Sequence, residues 1–253
     1  MIDINCDLGE GKTQLDCEND AQLMPFISRC NIACGGHAGN RLTMKLTINN
    51  AIKHNLLVGA HPGYPDSDNF GRISIEIAFE ALKTSLLNQI NQLSKIANDF
   101  HIKLDHIKFH GALYNDIEND PLLAENIADL ILKYFPTLSV ICLAGGLLME
   151  KCIDKQIAIM QEAFIDRSYL SSKKLSPRTM DGSVIESQEL AMKQALSLVH
   201  QKPIESIDKQ SITISADTLC LHSDNPNSLE TARNLHKMFI REAIKVQQEL
   251  QNQ

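Results

Sequence analysis

The chain has 253 residues, of which 43% are hydrophobic and 22% charged, and a chain of this length buries roughly 70–75% of its unfolded surface without needing disulfides. Its 24 basic and 31 acidic side chains leave a formal net charge of −7, which disfavours nucleic-acid and anionic-membrane partners. Because the sequence has neither a run of about 18 apolar residues nor a basic segment and apolar stretch at its start, we expect one cytoplasmic domain over residues 1–253.

Seven short apolar runs alternate along the chain with helical patterns. Between the runs, apolar residues recur every three or four positions, as they do from Ile75 to Ala97, which is typical of one face of a helix. Two later helices are predicted to begin at a capping residue followed by proline, at Asp120-Pro121 and at Asn225-Pro226. The runs predicted to be strands are 2–6, 30–34, 56–60, 106–110, 138–143, 157–164 and 218–222.

This alternation predicts parallel strands joined by right-handed crossovers, either closed as a barrel or open as a doubly wound sheet. No G-x-G-x-x-G motif follows the first strand, and polar residues end nearly every strand instead of clustering at one switch point. We therefore predict an α/β fold, a single-domain TIM-like (β/α) barrel with about seven parallel strands. Residues 168–185 lack periodicity and are predicted to form a long loop, and residues 202–209 a plain connector.

Polar side chains share one face of the predicted strands. In the first strand Asp3, Asn5 and Asp7 lie opposite the apolar residues, and in the fourth strand Lys108 and His110 do the same. A barrel interior is usually packed with branched aliphatic side chains. Since burying a charge costs several kcal/mol even with compensation, this pattern predicts a water-accessible site at the barrel mouth.

The predicted strand-to-helix loops place ionisable side chains beside small residues and turn formers. Loops of this kind on a rigid barrel bring backbone and charged groups together around a small ligand. One histidine beside a glycine is usually structural, but a histidine in each of four equivalent loops favours a shared site. These histidines are His37, His61, His110 and His222.

Two signals for nucleotide or metal binding are weak when taken alone. The segment from Gly9 to Thr13 is similar to the end of a phosphate-binding loop, but Cys6 stands where that motif needs its first glycine. Any nucleotide is therefore expected to be held in another way. A single ion held by Asp7 with two histidines is chemically sensible for zinc and similar metals, and the sequence leaves this open.

The same loops carry several longer motifs. They read NCDLGEG, NIACGGHAG, GAHPGYPD, FGR, HGALYN, FIDRSY and SPR, with an H-x-D near the carboxyl end. In this order, over about residues 1–245, the chain resembles the LamB/YcsF family; it departs from the family's usual pattern at Gly36, Asn40, Ile73, Phe109 and Ser223. The resemblance implies a seven-stranded barrel related to those of glycoside hydrolases and deacetylases.

The resemblance also implies an activity, the ATP-dependent opening of 5-oxoproline to L-glutamate together with two partner subunits of a 5-oxoprolinase, B and C. ATP is then a co-substrate, which Mg²⁺ would accompany. No metal ligand is assigned in the barrel, and the resemblance leaves open whether the chain forms a homo-oligomer. The expected catalytic residues are Asp7, Glu10, His37, His61, Lys108, His110 and Asp166. The expected substrate-binding residues are Asn5, Arg72, Tyr114, Glu162, Arg167, Tyr169, Arg178, His222 and Asp224.

Roles within this set follow from the chemistry of an unactivated amide. Lys108 and a histidine such as His110 are expected to stabilise a transferred phosphoryl group and the developing oxyanion, and Asp7 or Glu10 to position or deprotonate water. The three arginines are candidates for holding a substrate carboxylate. Two other functions stay open: a stand-alone metal-dependent amide hydrolase or deacetylase with Asp7, His61 and His110 as ligands, and a non-catalytic subunit that binds ligand and partners.

Overall fold

The structure is a computed structural model in which residues 1–223 and 227–246 are described. Within these residues the strands are β1 (Asp3–Leu8), β2 (Arg29–Ala33), β3 (Leu57–His61), β4 (His106–Lys108), β5 (Ser139–Leu143), β6 (Ile159–Phe164), β7 (Ile204–Glu205), β8 (Ser211–Ile212) and β9 (Thr218–His222). In this described part of the chain, seven strands are parallel and close into a barrel in the order β1-β2-β3-β4-β5-β6-β9. The predicted α/β barrel is confirmed.

Helices cover the outside of the barrel. They are α1 (Gln14–Ala21), α2 (Arg41–Lys53), α3 (Phe79–Asp99), α4 (Gly111–Ile117), α5 (Pro121–Tyr134), α6 (Leu147–Asp154), α7 (Gln188–Val199) and α8 (Ser228–Arg241), with a 3-10 helix over Met24–Phe26. In α3, Leu82, Leu86 and Ile90 recur at helical spacing and are buried against the barrel. The helix begins at Phe79, after the start that the apolar pattern indicates at Ile75. None of the described helices is long and apolar enough to cross a membrane.

Helix α5 begins as predicted. The carboxylate of Asp120 accepts hydrogen bonds from the backbone N–H groups of Leu122 and Leu123, at 2.9 and 3.1 Å, and Pro121 occupies the first helical position. Both features satisfy or remove backbone donors that a helix start leaves without partners. The other predicted cap, Asn225-Pro226, lies outside the described residues.

The prediction of a plain connector over residues 202–209 is wrong. This segment contains β7, which pairs with β8 in a small antiparallel hairpin in the register Ile204↔Ile212. Both isoleucines are buried against the core, and their burial stabilises the hairpin. A strand of two residues is too short to show alternation of side chains, so the sequence pattern does not reveal it.

A polar network fills the barrel interior below the mouth. Asn31 Nδ2 on β2 donates to Asn5 Oδ1 and to Asp7 Oδ1 at 2.8 and 2.7 Å, and Asn31 Oδ1 lies 2.7 Å from His106 Nε2. Asn5 Nδ2 in turn donates to Thr218 Oγ1 at 3.0 Å. All five side chains are buried, so the polar strand faces do point into the barrel. Because the bonds join four strands, the network fixes their register.

The close packing of this interior makes Gly59 a sensitive position. Gly59 pairs with Asn31 on one side and with His106 on the other, and a Cβ atom added to it would collide with the His106 imidazole. The ring cannot retreat because Asn31 and Asp105 hold its two nitrogens, at 2.7 and 3.0 Å. We expect Gly59→Ala to lower the free energy of unfolding by about 2–3 kcal/mol, measured by urea denaturation.

A double variant tests the cause of that destabilisation. If the imidazole is the obstacle, Gly59→Ala combined with His106→Ala is expected to be more stable than the sum of the two single changes indicates. Strictly additive effects would show that the added methyl group acts elsewhere.

Candidate active site

A cavity of about 420 Å³ opens at the carboxyl ends of the barrel strands. Its wall includes the last residues of several strands, as expected for a site on a (β/α) barrel. The predicted site residues that line it are Asp7, Glu10, His61, Arg72, Lys108, His110, Tyr114, Arg167 and Arg178. These nine residues, from distant parts of the sequence, therefore lie around one cavity, and the other predicted residues whose side chains the structure describes do not line it.

A carboxylate and three imidazoles lie close together at this cavity, and all of them except His37 line it. We call Glu10, His37, His61 and His110 the Glu10–histidine cluster. Glu10 Oε1 lies 3.2 Å from His37 Nε2, 3.3 Å from His110 Nδ1 and 3.9 Å from His61 Nε2. His61 Nε2 and His110 Nδ1 are 3.0 Å apart. One ligand atom from each of the four residues lies within 4.8 Å of the others.

The ends of four consecutive strands, β1 to β4, and the loops that follow them hold this cluster. His61 is the last residue of β3, and His110 stands directly before α4. His37, in the loop after β2, stacks on His110 with ring centroids 3.5 Å apart and an interplanar angle of 3°. Gly71 lets the backbone approach this stack closely, because it has a φ of +60° and a Cβ atom there would lie 2.7 Å from the Cβ atom of His37.

The cluster has an unusual charge state at neutral pH. Burial lowers the pKa of His61 to about 3, which leaves its imidazole neutral. Burial raises the pKa of Glu10, but hydrogen bonds from His110 and His37 lower it more strongly, and the net pKa lies well below its usual range. The carboxylate is therefore ionised among imidazoles, and the cluster carries a negative charge at its centre.

Lys108 lies beside the cluster and is almost fully buried. Its Nζ atom lies 2.9 Å from Asp7 Oδ1 and 2.9 Å from Glu162 Oε1, and it donates to Asn5 Oδ1 at 3.1 Å. Burial lowers the pKa of Lys108, but the charges of Asp7 and Glu162 raise it well above its usual value, so the ammonium is charged. Asp7 Oδ2 also lies 3.4 Å from His61 Nε2, which connects the ion pair to the cluster.

Arginines occupy the wall on the side of the long loop. Arg167 is buried, and its guanidinium donates to the carbonyl oxygens of Ser183 and Ser176 at 3.1 and 2.6 Å, which ties residues 168–185 to the barrel. Burial and then the charge of Arg178 lower the pKa of Arg167 to about 10. Residues 168–185 contain no helix and no named strand, as predicted. Arg178 is exposed, and the guanidinium carbon of Arg72 lies 4.9 Å from the Phe70 ring centroid.

Several predicted residues lie behind the cavity wall. Asn5 and Glu162 are fully buried beneath Lys108, where they hold its ammonium. The hydroxyl of Tyr169 accepts a hydrogen bond from the backbone N–H of Phe164 at 2.7 Å and is buried in the core. Asp166 faces a separate small cavity beside α7 and α8.

The last two predicted residues lie where the described residues break off at 223, before they resume at 227. The backbone of His222 pairs with Asp7, so this position does lie at the mouth. Asp224 lies outside the described residues.

Sequence reasoning missed a second acidic group on the cavity wall. Glu118 accepts hydrogen bonds from the backbone N–H groups of Leu147 and Leu148, at 2.5 and 3.4 Å, at the start of α6. Asp116 accepts from Tyr64 Oη at 2.9 Å and from Ser74 Oγ at 2.8 Å. Both acids lie at the end of α4 and not at the carboxyl end of a strand. A prediction based on polar residues at strand ends therefore does not include them.

Glu118 gives a prediction for the pH dependence of stability. Burial raises its pKa from 4.5 to about 7 in the folded protein. Between these values the folded state binds more protons than the unfolded state, so this contribution to stability is complete below about pH 4.5 and is lost as the pH rises through 7. We expect the free energy of unfolding of Glu118→Gln, relative to that of the native chain, to rise by about 2 kcal/mol between pH 5 and pH 8, measured by urea denaturation. If the difference in free energy of unfolding between Glu118→Gln and the native chain were the same at pH 5 and pH 8, the prediction would be wrong.

Related proteins are known for both the sequence and the fold. The sequence matches the LamB/YcsF family over residues 2–253. A relative from Syntrophobacter fumaroxidans (strain DSM 10017 / MPOB), named as the A subunit of 5-oxoprolinase, is 36% identical over 244 residues, which cover 96% of each chain. The lactam utilization protein of Thermus thermophilus is 33% identical, and its crystal structure superposes with a TM-score of 0.89 over 98% of this chain and 99% of that one.

A more distant structure shares the fold alone. It is a protein of Enterococcus faecalis V583 whose name refers to cellobiose-phosphate cleavage, with 12% identity and a TM-score of 0.60 over 98% of this chain and 96% of that one. The family match, in contrast, spans nearly the full length of the sequence and includes every cavity-lining residue described above. This chain belongs to the LamB/YcsF family.

Proposed function

We propose that this chain is the A subunit of a 5-oxoprolinase, which opens the 5-oxoproline ring to L-glutamate in an ATP-dependent reaction with partner subunits B and C. The observation that carries the proposal is the convergence of Glu10 and two histidines of the cluster, His61 and His110, with arginine side chains on one cavity wall. Imidazoles and carboxylates supply proton transfer to an amide, and guanidinium groups bind a carboxylate. The names of the relatives from S. fumaroxidans and T. thermophilus support the same substrate class.

The chemistry needs ATP because a five-membered lactam is a stable amide. In the proposed reaction the γ-phosphoryl group of ATP moves to the lactam oxygen, which releases ADP and weakens the resonance of the amide. One water then adds to the ring carbon, the C–N bond breaks, and the nitrogen takes up a proton. A second water removes the phosphoryl group as inorganic phosphate, which leaves L-glutamate.

The residues of this chain divide these tasks by position. Glu10 is the better candidate to orient or deprotonate the attacking water, because Asp7 is already bound to Lys108 at 2.9 Å and to Asn31 at 2.7 Å. Lys108 keeps Asp7 in place and supplies positive charge at the cavity floor, where an oxyanion would develop. His110 contacts Glu10 and faces the cavity, so it is placed to transfer a proton to the leaving nitrogen.

Substrate binding is assigned to the wall. Arg72 and Arg178 line the cavity, and a planar guanidinium matches a carboxylate in a bidentate pair. Arg167 acts differently, since its donors are bonded to the carbonyls of Ser183 and Ser176. We assign it to holding the loop that carries Arg178.

Reconstitution tests the proposal. The purified chain is mixed with subunits B and C, ATP and 5-oxoproline, and L-glutamate and ADP are followed together. We expect both to be released in equal amounts, and only when this chain is present. Glutamate formation without this chain, or ADP release that is independent of 5-oxoproline, would overturn the assignment.

The Glu10–histidine cluster also favours a second function, a metal-dependent amide hydrolase that works without nucleotide. Imidazoles and a carboxylate at a cavity floor are a common donor set for a hydrolytic metal. An assay of the isolated chain without ATP separates the two functions. Hydrolysis of 5-oxoproline that needs no ATP and stops on addition of a chelator would establish the second function and exclude the first.

A further inference from the structure

Two histidine rings in the cavity floor point one nitrogen each at the other ring. His61 Nδ1 lies 2.8 Å from the carbonyl oxygen of Lys108, and His110 Nε2 lies 2.9 Å from the carbonyl oxygen of Phe70. A carbonyl oxygen only accepts hydrogen bonds, so the ring proton is assigned to each of these two nitrogens. The inner nitrogens, His61 Nε2 and His110 Nδ1, lie 3.0 Å apart, and a metal ion can bind both of them when it displaces the proton that they share with each other or with Glu10.

A divalent cation at this position would contact both nitrogens and the Glu10 carboxylate. Glu10 Oε1 lies 3.3 Å from His110 Nδ1 and 3.9 Å from His61 Nε2, and His37 Nε2 lies 3.2 Å from Glu10 Oε1. In a tetrahedral site with bonds of about 2.0–2.1 Å, neighbouring ligand atoms are about 3.3 Å apart. The three separations among the ligand atoms of Glu10, His61 and His110, from 3.0 to 3.9 Å, lie around this value.

We propose that the Glu10–histidine cluster binds one divalent transition-metal ion, with Zn²⁺ as the representative. Imidazole nitrogens with one carboxylate oxygen are donors that these metals favour, whereas Mg²⁺ favours sites made only of oxygen. The site shares the cavity of the proposed function, but it does not rest on that reaction, because binding is measured on the chain alone.

The surroundings of the cluster match those of a metal site. The carbonyl groups of Lys108 and Phe70 orient the rings of His61 and His110 by accepting from their outer nitrogens, as in metal-binding histidines generally. His37 has no such partner at Nδ1 among the described residues, and its ring is held by stacking on His110. Because two stacked parallel rings cannot both direct an in-plane lone pair at one ion, His37 is expected to support the site through its contact with Glu10 and not to bind the ion itself.

Asp7 is a neighbour of this site and not a ligand. Asp7 Oδ2 lies 3.4 Å from His61 Nε2, but the carboxylate is already bonded to Lys108 Nζ at 2.9 Å and to Asn31 Nδ2 at 2.7 Å. The proposed ligands therefore differ from Asp7, His61 and His110, the ligands that the sequence analysis left open for a metal-dependent hydrolase. Glu10 replaces Asp7 because its oxygen, and not that of Asp7, contacts all three rings.

Metal titration of the isolated full-length chain tests the proposal. The protein is stripped with a chelator and titrated with ZnCl₂ in a calorimeter, and a parallel titration with CoCl₂ records the visible absorption of tetrahedral Co²⁺. We expect one ion per chain. His61→Ala, His110→Ala and Glu10→Gln are each expected to weaken binding roughly 100-fold or more, and His37→Ala to weaken it less.

A matched variant controls for nonspecific effects. His54→Ala removes an exposed imidazole at the end of α2. It is expected to bind one ion per chain with the affinity of the native chain. Circular dichroism checks that each variant is folded, and X-ray absorption of the zinc-loaded native chain counts imidazole ligands where a variant does not fold.

The outcomes separate this proposal from the proposed function. Absence of stoichiometric binding, zinc that has no imidazole ligands, or a proton shared by His61 and His110 that Zn²⁺ does not displace would each overturn the metal site. If no metal binds while glutamate and ADP form in equal amounts, only the metal site fails. If one ion binds to the cluster while the reconstituted complex produces no glutamate, only the proposed function fails.

Discussion

Replacing Lys108 by methionine is expected to destabilise the folded chain by about 3–5 kcal/mol and to abolish glutamate formation by the reconstituted complex. The ammonium lies 2.9 Å from Asp7 and 2.9 Å from Glu162, and both carboxylates are buried. Removing the cation leaves two buried charges without compensation, which costs more than the loss of the ion pair itself. Urea denaturation measures the change in the free energy of unfolding.

A second change tests whether uncompensated charge is the cause. Lys108→Met combined with Glu162→Gln removes one of the two buried negative charges, so this double variant is expected to regain part of the lost stability. Lys174→Met is the matched control: Lys174 also lines the cavity, but it is only partly buried and donates to the carbonyl oxygen of Glu118. We expect it to cost less than about 1 kcal/mol. A Lys108→Met protein as stable as the native chain would contradict this interpretation.

Glu10→Gln is expected to lower the rate of glutamate formation by about 100- to 1,000-fold while the chain stays folded. The change keeps the shape of the side chain but removes the charge that contacts three imidazoles. An amide cannot accept a proton from water as a carboxylate can. The rate is measured in the complex with subunits B and C at saturating ATP and 5-oxoproline.

The control for Glu10→Gln is Glu18→Gln, the same substitution at an exposed position of α1. It is expected to leave the rate unchanged. If Glu10→Gln reduced the rate less than tenfold, water activation would have to be assigned to another group, of which Asp7 is the next candidate.

The fold could be predicted from sequence because its signals are local and repeated. Each barrel strand is a short apolar run, and helical spacing separates the runs, so the alternation alone implies parallel strands. A closed barrel then follows from the polar residues at most strand ends. These residues also predict the site, since closure brings the ends of β1, β3 and β4 to one cavity.

The parts that could not be predicted depend on contacts between distant segments. Glu118 reaches the cavity from the end of a helix, where no strand signal marks it. Lys108 and Asp7 have the polar pattern of catalytic groups, but the structure shows that they also neutralise each other inside the barrel. Periodicity gives the face on which a side chain lies; it does not show which polar side chains are already bonded to one another.

The placement of the Glu10–histidine cluster on one side of the barrel has a consequence for how such an enzyme can be altered. The cluster comes from β1 to β4 and their loops, whereas Arg167 and Arg178 come from the segment after β6. Loops on a barrel can be exchanged without rebuilding the strands. Under the proposed function, grafting residues 168–185 is therefore expected to change the substrate range, while the Glu10–histidine cluster stays in place on the other half of the barrel.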